Sequence, residues 1–138
     1  MKKLFVGILM VVMLVGFGGC GMSEEPPSNY PSSNASYKEV NFDVGCGSKY
    51  SDDKRKDIFK SRYKNYWMIW SGEVVLADSD DVSLNIDGKG TQDLMVDFAN
   101  KTAGYNLRKG DWITVKFVMK STGGCFLPFS GEHAIIIK

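Results

Sequence analysis

The stretch Tyr66-Trp67-Met68-Ile69-Trp70-Ser71-Gly72-Glu73-Val74-Val75-Leu76 decides the fold of this chain. It contains two of the three tryptophans and a run of branched residues, which favour a pleated, half-buried strand. A glycine inside a strand, here Gly72, indicates a bulge or a sharp bend, so one long strand can serve both halves of a small barrel. The same pattern also fits an ordinary strand of a β-sandwich.

Four further strands are predicted after this one. Apolar and polar residues alternate over 82–86, 94–98 and 112–120, and a last strand covers 134–137. Five strands in antiparallel succession, with a gap between the third and the fourth, predict a mainly β fold, a small five-stranded Greek-key barrel. The residues predicted to point into the barrel are Ile69, Val74, Leu84, Val96, Ile113, Val115 and Phe117.

One helix is predicted in front of the barrel. Ser51-Asp52-Asp53 supplies an N-cap and acidic residues for the first turn, and the helix follows over 54–66. Ile58, Phe59 and Tyr63 fall on one apolar stripe, while the opposite face is basic. That basic face is either a solvated surface or a contact for anionic lipid headgroups. The preceding segment, 37–49, alternates in polarity and is predicted to be extended.

Residues 1–19 are predicted to be a signal peptide, with Lys2 and Lys3 ahead of an apolar core and Gly18-Gly19 at its end. The apolar core is too short to span a membrane. Because the segment ends at Cys20, it resembles a bacterial lipoprotein signal, and the resemblance implies that Cys20 is lipidated. The alternative is a soluble secreted protein in which Cys20 is a free thiol.

Residues 20–36 are rich in Pro, Ser, Asn and Glu and have almost nothing apolar. Such a segment cannot bury enough surface to fold, so we predict a lipid-anchored flexible tether in front of a domain over 37–138. Gly21, which follows the lipidated cysteine, resembles the outer-membrane sorting pattern. The predicted location is therefore the bacterial cell envelope, facing the periplasm, with the outer membrane favoured.

Two cysteines remain once Cys20 carries a lipid, and these are Cys46 and Cys125. Export places them in an oxidising compartment, where such pairs form disulfides. Both lie beside glycines, in segments loose enough to meet the geometry of the bond. The alternative is a reactive thiol pair.

The sequence offers little catalytic chemistry. Its single histidine, His133, has no positioned nucleophile or orienting partner in the sequence, so we predict a protein that is not an enzyme and uses no cofactor. Asp78-Ser79-Asp80-Asp81 lacks the Gly and Glu of a calcium-binding loop, so we predict a hairpin turn and no metal. Without residues 1–19 the chain has 15 basic and 16 acidic residues, which argues against nucleic acid as a partner.

Four aromatic residues form a candidate binding surface for a protein or glycan: Tyr66, Trp67, Trp70 and Trp112. The alternative is that they fill the barrel core or pack against the helix.

Two short patterns, Trp70-Ser71-Gly72-Glu73-Val74 and Leu107-x-Lys109-Gly110-Asp111-x-Ile113-Thr114-Val115, resemble the OB-fold lipoproteins of enterobacterial envelopes, several of which are prophage-borne. The similarity runs from Val40 to Ile137 and implies an OB-like barrel without a catalytic motif. We therefore expect a membrane-anchored lipoprotein whose barrel is a binding or adaptor module for another envelope component, most simply a protein. The alternative is a prophage-derived superinfection-exclusion or envelope-stress factor.

Overall fold

A computed structural model describes residues 29–137 as five strands and two short helices. The elements are α1 (Tyr37–Val44), α2 (Asp52–Arg62), β1 (Trp67–Ala77), β2 (Asp81–Asn85), β3 (Leu94–Phe98), β4 (Trp112–Ser121) and β5 (Phe129–Ile137). The strands close into a barrel in the order β1-β2-β3-β5-β4, which confirms the predicted five-stranded OB-like architecture. The predicted signal peptide and Cys20 lie outside the described residues.

Strands β3 and β5, which are not consecutive in sequence, are neighbours in the barrel. These two strands run parallel, with Leu94 opposite Phe129, whereas the other pairs are antiparallel. A parallel pair needs a long crossover connection. Here β4 and its flanking loops form that crossover, and strands that follow one another in sequence run in opposite directions, as predicted.

The inward face of β1 differs from the prediction. Met68, Trp70 and Val74 are buried, whereas Ile69 is 55% exposed and points out of the barrel. The prediction for Ile69 is wrong because side chains alternate without interruption from Met68 to Val74. The other six residues predicted to point inward are buried: Val74, Leu84, Val96, Ile113, Val115 and Phe117.

Gly72 has a role different from the predicted bulge. The register shift of β1 against β2 falls later, between Val74 and Leu76. At Gly72 the backbone of β2 comes so close that an added Cβ atom would lie 2.7 Å from the carbonyl oxygen of Asn85. Glycine is therefore required for close strand approach rather than for an extra residue.

The segment predicted to be extended, 37–49, contains α1 instead. Ser36 and Glu39 form a capping box, in which the Ser36 backbone N–H donates to the Glu39 carboxylate at 2.7 Å. Val40 and Val44, four residues apart, are buried, while Phe42 is exposed. This spacing fits one face of a helix as well as it fits an alternating strand, and the capping box decides for the helix.

Helix α2 begins at the predicted N-cap, Ser51, but ends four residues before the predicted boundary. The chain takes a left-handed backbone conformation at Asn65 (φ 64°) and then enters β1. Buried Ile58, Phe59 and Tyr63 join the barrel core from this helix. The Asn65 N–H donates to the carbonyl of Met119 at 2.8 Å, so α2 closes the end of the barrel where β1 begins and β4 ends.

Part of the predicted tether belongs to the folded domain. The backbone N–H of Trp67 donates to the carbonyl of Pro31 at 2.8 Å, and the N–H of Ser33 donates to the carbonyl of Trp67 at 2.9 Å. Residues 29–36 therefore lie against the start of β1, because their backbone groups are paired there. The tether boundary predicted at residue 36 is too late, and residues 20–28 of that segment lie outside the described residues.

Cys46 and Cys125 form the predicted disulfide. Their Cα atoms are 4.7 Å apart, and the two positions are 79 apart in sequence. The bond joins the connection between α1 and α2 to the loop between β4 and β5. It therefore ties the segment in front of the barrel to a loop within the barrel.

Candidate functional site

Strands β1, β4 and β5 are neighbours in the barrel and share one outward surface, which we call the outer face. Their register places Ile69 beside Lys116 and Lys116 beside Ile135, with Ser71, Thr114 and Ile137 in the next row. Trp112 pairs with Glu73 at one end of the surface, and Trp67 pairs with Val118 at the other. The outer face consists of Trp67, Ile69, Ser71, Trp112, Thr114, Lys116, Ile135 and Ile137.

Large apolar side chains on the outer face are exposed. Trp112 is 67% exposed, Ile69 is 55% exposed and Ile135 is 45% exposed. Single exposed apolar residues are ordinary on a protein surface, but these three lie on adjacent strands of one sheet. Ser71, Thr114 and Lys116 lie between them, so the outer face groups exposed apolar side chains with polar ones. Such a composition is found at surfaces that another molecule covers.

Polar contacts hold the middle of the outer face in one arrangement. The hydroxyls of Ser71 and Thr114 lie 2.6 Å apart in a hydrogen bond across β1 and β4. The Lys116 ammonium sits 5.1 Å from the centre of the Trp67 ring, a cation–π contact. Both contacts fix side-chain rotamers before any partner binds, which lowers the entropic cost of binding.

The four aromatic residues predicted as a binding surface do not lie together. Trp70 is only 4% exposed, and its indole N–H donates to the carbonyl of Ala35 at 2.9 Å. Its ring meets Tyr37 and Phe117 edge-on, with centroids 5.5 Å and 5.3 Å apart. The prediction that Trp70 contributes to a surface is wrong, because the even-numbered positions of β1 face the core.

The remaining three aromatic residues differ among themselves. Trp112 and half-buried Trp67 belong to the outer face, at its two ends. Tyr66 is half-buried against the core cluster. The predicted surface therefore keeps two of its four residues and gains Ile69 and Ile135.

The sequence alone could not have found Ile69 on the surface. Over 67–70 the odd-numbered and the even-numbered residues of β1 are all apolar. Alternation therefore does not indicate which of them face the core. Ile135 carried a weak signal, since Ala134 and Ile135 are neighbours in a strand and only one of them can face the core.

Acidic residues cluster at the turn between β1 and β2. Partial burial raises the pKa of Asp81, and the nearby carboxylates of Asp78, Asp80 and Asp97 raise it further. Over residues 29–137, no group of three or more carboxylate, imidazole or thiol side chains is placed to hold a metal ion. The turn is a hairpin connection, as its sequence indicates.

Fold and surface together define the class of this protein as an OB-like barrel with an apolar outer face on β1, β4 and β5. Comparison with models of protein families gives no match, and comparison with curated proteins gives none either. Neither α1 nor α2 is long and apolar enough to cross a membrane.

Proposed function

We propose that this chain is a non-enzymatic, lipid-anchored lipoprotein of the bacterial envelope, and that its barrel binds another envelope protein through the outer face. The observation that carries this proposal is the exposure of Ile69, Trp112 and Ile135 on adjacent strands. Lipidation at Cys20 is supported by the signal sequence that ends there, and Gly21 favours the outer membrane, with the barrel on the periplasmic side.

The dimensions of the outer face suit the centre of a protein interface. Along β4, the outer face runs from Trp112 to Val118, the residue that pairs with Trp67. These two positions are six residues apart, so the length of the face is roughly 20 Å. Three strands give a width of roughly 10 Å between the outermost backbones. Protein interfaces combine apolar and polar side chains, and the outer face does the same, with Ser71, Thr114 and Lys116 between its apolar residues.

The charges around the outer face favour a protein over a polyanion. Glu73 pairs with Trp112, Lys116 lies centrally, and Glu132 lies beside Val118. Both signs of charge are present, so a polyanion would be repelled as well as attracted. A protein with an apolar patch and a mixed polar rim is complementary to this arrangement.

Site-specific photocrosslinking in intact envelopes tests the proposal. A photoreactive amino acid is placed at Ile69, Trp112 or Ile135, and at the exposed control positions Thr91 and Lys101. We expect one adduct of the same mass from all three outer-face positions and none from the controls. Equal adducts from every position, or none from the outer face, would contradict the proposal.

A further inference from the structure

A groove between α2 and the end of β4 is lined by four lysines, and we call it the lysine groove. It encloses about 540 Å³, and its lysines are Lys56, Lys60, Lys64 and Lys120. The first three are spaced by four residues, so they follow one line along α2 and its C-terminal turn. Lys120 reaches the same groove from β4.

The lysine groove carries excess positive charge. Asp53 and Asp57 also line it, and the Glu132 carboxylate lies 3.8 Å from the Lys120 ammonium, so four lysines against three carboxylates leave a net charge of +1. Within residues 29–137, no carboxylate lies within 4.0 Å of Lys56, Lys60 or Lys64 to form an ion pair. Like charges four residues apart on a helix repel, so an anion bound in the groove would relieve that repulsion.

The loop between β4 and β5 presents exposed apolar side chains a short length of chain away from the groove. Phe126 is 99% exposed and Leu127 is 68% exposed, and we call this pair the loop tip. Thr122 lines the groove, so four residues of chain place Phe126 within about 14 Å of it. The disulfide of Cys125, next to Phe126, ties the loop to the connection between the two helices.

The N-terminal chain meets the barrel at the same end. The Lys120 ammonium lies 3.4 Å from the Tyr30 hydroxyl and 5.1 Å from the centre of its ring. Asn29 is nine residues after Cys20, so at most about 32 Å of chain separates them. A lipid on Cys20 would therefore hold the groove and the loop tip close to the bilayer surface.

We propose that this end of the barrel docks on an anionic membrane surface. The lysine groove binds the phosphates of lipid headgroups, and the loop tip enters the interface between headgroups and acyl chains. Juxtamembrane lysines are attracted to anionic lipid, and apolar side chains beside them add buried area. The inference rests on the proposed anchoring at Cys20, and it directs the outer face sideways or away from the bilayer, toward a protein partner.

Lysine acetylation with a soluble reagent, read by mass spectrometry, tests this docking on the protein as isolated from envelopes. The protein is labelled with vesicles of phosphatidylcholine alone, with vesicles that also contain phosphatidylglycerol, and with phosphatidylcholine vesicles plus free inorganic phosphate. We expect protection of Lys56, Lys60 and Lys64 only where phosphatidylglycerol is present. High salt should remove the protection, because it screens the attraction.

Two matched triple variants test which basic residues are responsible for binding to the anionic vesicles. Lys56→Gln/Lys60→Gln/Lys64→Gln removes the charge of the groove, and all three side chains are exposed, so the fold should be kept. Lys101→Gln/Arg108→Gln/Lys109→Gln removes the same charge from the exposed connection between β3 and β4. Each lysine at an anionic surface changes partitioning by roughly fivefold. We therefore expect co-sedimentation with phosphatidylglycerol vesicles, measured on protein without a lipid on Cys20, to be lost in the groove variant and kept in the control variant.

Entry of the loop tip into the membrane interface is measured separately. A fluorescent label that responds to a less polar environment, attached at position 126 of the protein, should shift to shorter wavelength with phosphatidylglycerol vesicles. The same label at position 112 should not respond.

Equal acetylation of groove and control lysines in all three mixtures would overturn the docking. Protection by inorganic phosphate without protection by phosphatidylglycerol would overturn the assignment to lipid. Neither outcome depends on acylation, because protein without a lipid on Cys20 can be mixed with the same vesicles. A failure of anchoring is therefore distinguishable from a failure of docking.

Discussion

At the residue scale, Asp93 connects α1 to the turn after β2. Its side chain is 6% exposed, and it accepts hydrogen bonds from the Tyr37 hydroxyl at 3.0 Å and from the backbone N–H groups of Ile86 and Asp87 at 2.6 Å and 2.9 Å. Burial, followed by the charge of Asp93, holds the pKa of Tyr37 well above its usual range. The hydroxyl of Tyr37 therefore stays protonated and continues to donate to Asp93.

Asp93→Ala should lower the free energy of unfolding by about 2–4 kcal/mol, because it leaves two backbone donors of a partly buried turn without their acceptor. Tyr37→Phe should cost only about 1 kcal/mol, because it removes one hydrogen bond and keeps the ring against Trp70. Urea denaturation of both variants measures the difference. Equal costs would show that Asp93 does not organise this turn.

At the element scale, the sequence predicted where the strands lie better than it predicted which side of each strand is buried. In β4, Ile113, Val115 and Phe117 alternate with Thr114 and Lys116, so one phase is clearly apolar and the inward face was predicted correctly. In β1 both phases are apolar, and only tertiary packing decides which one is buried. The outer face was missed for this reason.

The predicted extended lead-in shows a different cause of error. Val40, Phe42 and Val44 were interpreted as alternating, while the Ser36-x-x-Glu39 capping box that starts α1 was present in the sequence and overlooked. No comparable local signal in the sequence indicates that residues 29–36 belong to the folded domain rather than to the tether. Those residues are ordered by backbone hydrogen bonds to Trp67, which composition does not reveal.

Met68 and Ile69 provide a direct test of the orientation of β1. Met68 is fully buried, so Met68→Ala should cost about 2–5 kcal/mol through the cavity it leaves. Ile69 is exposed, so Ile69→Ala should change stability by no more than about 0.5 kcal/mol. Thermal or urea unfolding compares the two, and a larger cost for Ile69 would reverse the assignment of faces.

At the scale of the whole molecule, the sequence was sufficient for the barrel and for the pairing of Cys46 with Cys125. The arrangement of surfaces around the barrel was not predictable, because it depends on which strands become neighbours on closure. Strands β1 and β5 reach the same outward surface only because β4 lies between them. The lysine groove likewise requires α2 to lie beside the end of β4.

Cys20→Ser should release the protein from membranes into the soluble periplasmic fraction when fractionation is carried out at high salt. High salt matters because it also removes electrostatic docking through the lysine groove. Cys46→Ser/Cys125→Ser, which leaves Cys20 in place, serves as the control and should stay with the membrane. Unchanged membrane association of Cys20→Ser would contradict lipid anchoring.

The central claim is that the outer face, rather than the loop tip, binds the protein partner. The most direct measurement is the yield of the photocrosslinked adduct from position 69 in two further variants, Trp112→Ser/Ile135→Ser and Phe126→Ser/Leu127→Ser. Each pair removes two exposed apolar side chains. Truncation of a large aromatic side chain such as tryptophan in an interface commonly weakens binding by roughly tenfold or more. We predict that the adduct falls by about this factor in the first variant and is retained in the second, and the reverse result would contradict the account.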